Sequence, residues 1–167
     1  LAAFVFWTAL ALKIFHTRFF SFLKAHWPAL LLSIILMGLI FYMMPPKFKV
    51  LADETNLVCV SMAMHHDKTV SLPLQGLALD YSNFDYTSKI DKRPLLFPFV
   101  VSIAHALLGY SAYNGFAVNF FLGVGILFLI YMIVSIGLRR FYGIIAIFLT
   151  ASLPIFSIWV TSSGFEA

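Results

Sequence analysis

Two long uncharged apolar runs, separated by a pair of arginines, constrain this chain more than any other feature. The first run, Asn114–Leu138, has about 25 residues, and the second, Tyr142–Val160, has about 19. A helix of about 20 apolar residues crosses the hydrocarbon core of a bilayer, so both runs are long enough to span a membrane. Arg139 and Arg140 lie between them. The sequence therefore predicts two membrane spans joined by a basic turn at 139–141.

The composition is also that of a membrane protein. Of the 167 residues, 62% are hydrophobic and 11% are charged, and the mean hydropathy is +0.95, whereas soluble chains are about half apolar and about a quarter charged. The net charge of +4 could indicate a nucleic-acid partner, but the sequence has no basic helix face and no basic patch interleaved with aromatic residues. We therefore expect no nucleic acid. The single cysteine, Cys59, excludes an internal disulfide.

Two further apolar stretches come earlier in the chain. Residues 1–27 are predicted to be the end of an N-terminal apolar helix followed by a basic cytoplasmic loop. Pro28–Met44, about 17 residues long, is predicted to span the membrane, with its proline in the first turn, where a helix tolerates it. Since the chain starts at Leu1 and stops at Ala167, shortly after a span, we expect it to be a fragment of a longer protein.

The segment 45–113 is predicted to be an external loop that contains helices lying along the membrane. It holds six of the seven acidic residues. Within it, Pro94–Leu108 is apolar but has only about 15 residues, which suits an interfacial or re-entrant helix better than a full crossing. If this helix does not cross, the basic clusters at 13–24 and 139–140 share one side of the membrane, as the positive-inside tendency favours. Residues 161–167 then begin a second external loop.

The predicted fold class is therefore an all-α membrane protein: a polytopic transmembrane helix bundle with interfacial helices in the first external loop. Its spans are 28–44, 114–138 and 142–160. We expect the acidic loop to be periplasmic in a bacterial inner membrane, or lumenal in an endoplasmic reticulum membrane. The sequence has no N-glycosylation sequon, which favours the bacterial location.

Two adjacent acidic residues, Asp53 and Glu54, are the first candidates for chemistry. They follow the span 28–44 by about nine residues, which places them near the headgroups. A carboxylate there can act as a general base when partial burial adjusts its pKa. Alternatively, Asp53 caps a short helix that runs from Glu54 towards His65, and Glu54 favours the positive end of that helix. Both interpretations stay open.

Lys92 and Arg93 are the second candidates, because they directly precede Pro94 and a predicted helix start. A guanidinium at the membrane surface can bind a phosphate in a bidentate manner, and a helix N-terminus adds to that binding. The alternative is that both side chains are interfacial anchors that extend into water.

The remaining polar residues indicate chemistry less strongly. His65, His66 and Asp67 could bind a metal, but adjacent histidines on a helix point in different directions, and no HxxxH, HExxH or CxxC spacing is present. His105, on an apolar helix, is expected to be a hydrogen-bonded packing residue. Glu166 follows the last span and is expected to be solvated. We predict no cofactor, and a divalent metal stays open.

The order of these parts carries more information than any single part. A span is followed by ADET at Ala52–Thr55, then by DKRPLLFPFVVSIAHALLG at Asp91–Gly109, then by a span that ends in two arginines, and finally by a return span with an acid after it. This order, over most of Pro28–Ala167, resembles the N-terminal part of polyprenyl-phosphate-dependent glycosyltransferases of the C type. It is most similar to the family that contains protein O-mannosyltransferases and lipid A aminoarabinose transferases.

The resemblance implies a function and a set of site residues. Asp53 would be the catalytic base that deprotonates an acceptor hydroxyl, with Glu54 as its partner. Arg93, assisted by Lys92, would contact the phosphate of the lipid carrier, and Glu166 would match an acidic residue of the second external loop. The donor would be a sugar on a polyprenyl phosphate, the acceptor a protein, lipid or glycan, and the transfer would invert the anomeric carbon.

Two other classes of function stay open. A transporter or flippase subunit would carry ionisable or helix-breaking residues in the middle of its spans, and the two uncharged runs show little of this. A non-catalytic assembly protein would use the acidic loop as a docking surface. Replacing Asp53 separates the glycosyltransferase from both.

Overall fold

The computed structural model describes residues 24–48, 51–80, 83–90 and 94–163. Of the predicted N-terminal segment 1–27, residues 1–23 lie outside the described residues, and 24–27, which were predicted to belong to a loop, are helical. The described elements, in chain order, are α1 (Lys24–Met43), α2 (Leu51–His66), β1 (Ser71–Asp80), β2 (Asn83–Ile90), α3 (Leu96–Leu108), α4 (Asn114–Gly137), α5 (Arg140–Ser152) and α6 (Pro154–Val160).

Two of the described helices, α1 and α4, are long and apolar enough to cross a membrane. Helices α5 and α6 meet the same test together, but the pair is bent by 73°. The described chain thus has two candidate spans by length and composition, or three if the bent pair counts as one. The prediction of a mainly helical protein with apolar helices of this kind is confirmed.

The bend between α5 and α6 follows from a proline. The side chain of Pro154 sterically disfavours the helical conformation at the residue before it, and Leu153 is extended there, with φ −70° and ψ 122°. Pro154 itself occupies the first turn of α6, where its missing N–H is not needed. The run 142–160 is therefore two helices, whereas the sequence predicted one.

Helix α4 runs antiparallel to α1. The Nδ1 atom of His26, early in α1, lies 3.1 Å from the hydroxyl of Tyr131, late in α4. At the opposite end, the ring of Phe48, beyond α1, contacts the ring of Phe116 in the first turn of α4, with centroids 5.3 Å apart. We call the end where α4 begins the junction end, and the end where α4 stops the basic end, because Lys24 and the two arginines lie there.

The bent pair α5–α6 runs back along α4. Gly143 in α5 packs against Tyr131 and Ser135 of α4, and at the other end the Asn119 amide donates to the carbonyl of Ser162, just beyond α6, at 2.6 Å. Gly115 also lies against Ser163. From residue 115 to residue 135 a helix rises about 30 Å, which is the thickness of the hydrocarbon core. The pair therefore extends along the same length of α4 that a single span would cover.

An apolar core joins these helices. Met37, Leu127 and Ile147 are fully buried within it, and the full set of buried members is Ala29, Leu36, Met37, Ile40, Val124, Leu127, Tyr131, Ile147 and Val160. Gly123 allows a close approach of α1 and α6 to α4, because a Cβ atom there would lie 2.5 Å from the Met37 methyl and 3.1 Å from a methyl of Val160. Small residues at helix contacts permit such packing within a membrane.

Helices α2 and α3 pack against each other at the junction end. Helix α3 has 13 residues, or about 20 Å of length, which is less than a bilayer crossing requires. It buries Pro98, Val101 and His105 on one side. Its other side leaves large apolar side chains exposed, namely Leu96, Phe99, Val100, Ile103, Leu107 and Leu108.

A two-stranded antiparallel sheet lies between α2 and α3 in the chain. Strand β1 pairs with β2 from Ser71 opposite Ile90 to Asp80 opposite Asn83, with two irregularities in register. The prediction of an all-helical chain did not include this hairpin. The pattern was present, because Phe84, Tyr86 and Ile90 alternate with polar residues, as is typical of a strand.

Candidate functional site

The predicted acidic pair lies in the first turn of α2. This helix begins at Leu51, so Asp53 lies inside the helix and not at its cap, which was the alternative considered from the sequence. Glu54 is buried, with 3% of its surface exposed. Acidic residues in the first turn of a helix are stabilised by the helix dipole. The helix expected from Glu54 towards His65 is present.

The other predicted site residues fall outside the described part of the chain. Lys92 and Arg93 precede the described segment 94–163, and Glu166 follows it. Helix α3 starts at Leu96, three residues after Arg93. The structure therefore neither brings these residues towards Glu54 nor separates them from it, and their roles stay predictions.

A buried polar cluster connects three helices at the junction end. The Ser61 hydroxyl on α2 lies 3.2 Å from Nε2 of His105 on α3, and the Asn114 side-chain nitrogen at the start of α4 lies 2.8 Å from Nδ1 of the same ring. Ser61 and His105 are almost fully buried, and Asn114 is 7% exposed. We call these three residues the Ser61–His105–Asn114 cluster.

Neighbouring carbonyls determine the direction of each hydrogen bond. The Asn114 nitrogen also lies 2.8 Å from the carbonyl of Gly109, which can only accept, so the NH₂ group and not the amide oxygen faces His105. Nδ1 of His105 therefore accepts and carries no proton. Nε2 carries the proton and donates to Ser61, whose hydroxyl in turn donates to the carbonyl of Val58 at 2.7 Å.

This polarity excludes a nucleophilic role for Ser61. In a serine–histidine triad the histidine accepts the hydroxyl proton, and a third residue accepts the N–H on the other side of the ring. Here both bonds run in the opposite sense, because Asn114 donates to the ring and the ring donates to Ser61. The cluster contains residue types found in hydrolase triads, but its chemistry is that of a structural connection. The sequence expectation that His105 is a hydrogen-bonded packing residue is confirmed.

Aromatic and imidazole rings surround the cluster. The His105 ring centroid lies 5.9 Å from that of His65 and 4.9 Å from that of Tyr110, and His66 lies 4.8 Å from His65. Burial lowers the pKa of His105 from its ordinary value, and the positive charge that His65 and His66 can carry lowers it further. Among the residues that the structure describes, no group of three histidine, cysteine or acidic side chains could hold a metal ion.

The thiol of Cys59 shares helix α2 with the acidic pair. It is free and partly buried, and burial raises its pKa. A thiol with a raised pKa stays protonated and is a poor nucleophile. Cys59 is therefore no candidate for covalent catalysis.

A second group of buried polar residues lies where α4 begins and α6 ends. Asn119, Thr161 and Ser163 are completely buried there, and the backbone N–H of Lys47 donates to the carbonyl of Thr161 at 3.3 Å. Within the described part of the chain, the Asn119 side-chain oxygen and the Ser163 hydroxyl have no hydrogen-bond partner. The ends of α1 and α6 and the start of α4 are thus joined by polar contacts as well as by packing.

Sequence reasoning identified Asp53, Glu54 and His105 but missed Ser61 and Asn114. A signal for Asn114 existed, because it opens an otherwise apolar run only nine residues after His105, and buried polar groups usually find a partner. No comparable signal marked Ser61. Comparison of the chain with protein-family models, curated proteins and solved structures found no significant match in any of the three.

Proposed function

We propose that this chain is part of an integral membrane glycosyltransferase, which transfers a sugar from a polyprenyl phosphate to a protein, lipid or glycan acceptor. The observation that carries the proposal is the burial of Glu54, next to Asp53, on a helix that directly follows a candidate span. Carboxylates are seldom this buried without a structural or chemical reason, and a lipid-linked donor presents its sugar phosphate at this depth.

The arrangement of the bundle supports a membrane orientation. In the proposed topology α1, α4 and the pair α5–α6 each cross once, which places Lys24, Arg139 and Arg140 together at the basic end. The positive-inside tendency then makes the basic end cytoplasmic and the junction end periplasmic or lumenal. Exposed aromatic residues at both ends, such as Trp27 at the basic end and Tyr113 at the junction end, match the interfacial enrichment of tryptophan and tyrosine.

The surface of α3 supports an interfacial position for α2 and α3. Helix α3 is too short to cross, buries one side against the protein, and leaves large apolar side chains such as Phe99 and Leu107 exposed on the other. A helix with such a face lies in the membrane surface with its apolar side among the lipid chains. Helix α2, which packs on α3, would then present its acidic first turn at the headgroup level.

The proposed reaction is one displacement. Asp53 takes the proton of an acceptor hydroxyl, the oxygen attacks the anomeric carbon of the donor, and the bond between that carbon and the phosphate oxygen breaks with inversion. The polyprenyl phosphate leaves with the bonding electrons, and Arg93 with Lys92 stabilises the charge that develops on it. Glu54, as the partner of Asp53, holds the Asp53 carboxylate in position.

The proposal predicts a large effect of Asp53→Asn. Loss of a general base lowers a rate by about 10²- to 10⁴-fold, so incorporation of labelled sugar into membranes that express the variant should fall by that factor. Polyprenyl-phosphate mannose and polyprenyl-phosphate aminoarabinose are the two donors to use. The matched control is Asp67→Asn, which removes an exposed carboxylate at the other end of α2. Transfer that survives in Asp53→Asn, at normal expression, would contradict the proposal.

A second experiment addresses the phosphate. Arg93→Ala should raise the apparent KM for the lipid donor more than it lowers the stability of the protein, because a guanidinium contributes to phosphate binding through paired hydrogen bonds. Arg139→Ala at the basic end is the control and should leave the KM unchanged. Equal donor affinity in Arg93→Ala and the parent would remove the phosphate role.

One observation favours a transporter as the second candidate. The 73° bend between α5 and α6 interrupts a candidate span, and broken helices are frequent in transporters, where they form substrate sites near the middle of the membrane. Pro154→Ala permits a continuous helix. A transporter should then lose flux of a lipid-linked sugar across proteoliposomes, whereas Asp53→Asn should leave flux intact. No flux in the parent, together with loss of sugar transfer in Asp53→Asn, supports the glycosyltransferase.

A further inference from the structure

A single imidazole connects α2, α3 and α4 at the junction end. Through its two nitrogens, His105 on α3 contacts Ser61 of α2 and Asn114 of α4. The cluster is buried, so water cannot readily replace a lost partner. The attachment of α2, which carries Asp53 and Glu54, thus depends in part on one titratable ring.

The hydrogen bonds of this cluster fit only the neutral ring. Protonation of His105 would place an N–H on Nδ1, directly opposite the NH₂ group of Asn114. Asn114 cannot turn its amide oxygen towards the ring without bringing that oxygen onto the carbonyl of Gly109. In the first case two donors face each other, Nδ1–H and the Asn114 NH₂ group. In the second case two acceptors do, the Asn114 oxygen and the Gly109 carbonyl. Each unpaired buried group costs about 1–3 kcal/mol.

The charges that act on the ring, those of His65 and His66, oppose a positive charge there. The buried carboxylate of Glu54, also on α2, lies seven residues before Ser61, which is about 10 Å along the helix. From α2, His65 and His66 lie close by, and from the α3–α4 connection Tyr110 does. Beyond them, at the end of α2, are Asp67 and Lys68, both exposed, with the Lys68 ammonium on the carbonyl of His65 at 2.6 Å. Helix α4 contributes the neutral Asn114.

We infer that the Ser61–His105–Asn114 cluster is a proton-sensitive connection, which holds α2 against α3 and α4 while His105 is neutral and releases α2 when His105 is protonated. The connection itself is independent of any reaction. Its consequence, that acidification displaces the acidic pair from the junction end, rests on the proposed function.

The test measures the distance between α2 and α3 as a function of pH. Met62 on α2 and Ile103 on α3 are both exposed, so nitroxide labels can be attached in a Cys59→Ser background through Met62→Cys and Ile103→Cys, with the chain in lipid nanodiscs. We expect one short distance at about pH 8. A second, longer distance should become the major population at about pH 5, below the ordinary histidine pKa of about 6.5.

Three variants make the test specific. His105→Gln keeps a donor and an acceptor but does not titrate, so its distance should not change with pH. Asn114→Ala removes the NH₂ group that would face a protonated Nδ1, so its distance should change less with pH than that of the parent. His26→Gln removes a histidine at the other end of α4, on the hydroxyl of Tyr131, and should leave the pH response of the parent unchanged.

Two outcomes would overturn the inference. One is a distance in the parent that stays the same from about pH 8 to about pH 5, on either side of the histidine pKa. The other is a pH response that persists in His105→Gln, which would assign it to another group. Transfer activity does not enter either outcome, so the proposed function can fail while this inference holds, and the reverse.

Discussion

The two ends of helix α4 are held by different physical means. At the junction end, α4 meets its neighbours through buried hydrogen bonds, from Asn114 to His105 and from Asn119 to the carbonyl of Ser162. At the basic end, α4 meets α5 by close packing, with Gly143 of α5 against Tyr131 and Ser135. Hydrogen bonds are directional and respond to charge, whereas packing responds to volume. The junction end therefore depends on fully buried hydrogen bonds of a titratable ring, whereas the hydrogen bond at the basic end, between His26 and Tyr131, is only partly buried.

This difference suits a division of roles along the membrane normal. In the proposed orientation, the packed end anchors the bundle on the cytoplasmic side, and the polar end carries the helix with Asp53 and Glu54. Elements that move or react are drawn from the less stable parts of a structure. The following experiments test the contrast between the two ends.

The largest expected effect is that of His105→Leu. This change leaves one Asn114 amide hydrogen without its acceptor and the Ser61 oxygen without the N–H that it accepts, both in a buried place. The free energy of unfolding should fall by about 3 kcal/mol. At the basic end, His26→Leu removes one partly buried hydrogen bond and should cost about 1 kcal/mol. Unfolding in mixed micelles by a titrated denaturing detergent measures both. Equal losses would show that the two ends do not differ in this respect.

Gly143→Ala tests packing at the basic end. The added Cβ would collide with the backbone oxygen and the ring of Tyr131, and such overpacking costs about 2 kcal/mol. Gly125→Ala is the matched control, because a Cβ there meets open space, and alanine favours the helix by up to about 1 kcal/mol. The same unfolding titration applies. A Gly143→Ala protein as stable as Gly125→Ala would contradict close packing as the source of stability.

Asn119→Ala should have a smaller effect at the junction end. It removes the hydrogen bond to Ser162 but also an amide oxygen that has no partner within the described residues. The net loss should be about 1 kcal/mol. Ser33→Ala, which removes only a bond to the carbonyl one turn earlier in α1, serves as the control and should be close to neutral. A larger loss in Ser33→Ala than in Asn119→Ala would show that the hydrogen bond from Asn119 to Ser162 does not stabilise the junction end.

The smallest effect expected is a dependence of stability on pH. The pKa of His105 is lower in the folded protein than its ordinary value, because of burial and of the nearby His65 and His66. Below about pH 6.5 the unfolded chain therefore binds more protons than the folded one, so stability rises with pH in that window. His105 contributes fully above about pH 6.5, and its contribution is lost as the pH falls below that value. In His105→Gln the slope should flatten, and a slope equal to that of the parent would exclude His105 as its source.

Particular elements show how far the sequence predicts this structure. The run 114–138 coincides with α4 because an uncharged apolar stretch of that length has few other stable conformations. The run 142–160 was expected to be one helix, and Pro154 breaks it, since local backbone sterics override hydrophobic length. The hairpin of β1 and β2 lies within the predicted loop 45–113, and its sequence alternates apolar and polar residues as strands do.

The candidate site was only partly predictable for a related reason. Asp53, Glu54 and His105 attract notice as ionisable residues next to apolar segments. Ser61 and Asn114 do not, because their importance comes from being within hydrogen-bond distance of one imidazole, across a gap of 44 residues in one case and 9 in the other. The spacing of residues along the chain does not predict which of them come into contact in the folded protein.

The sequence by itself determined which segments are apolar enough to become candidate spans and where the basic residues lie relative to them, because both depend on the solvation of individual side chains. Only the tertiary structure decided that α2 and α3 pack together where α4 begins, and that a neutral His105 connects all three. Those features depend on which buried donors and acceptors come within hydrogen-bond distance. Tertiary packing decides this, and the order of residues along the chain does not.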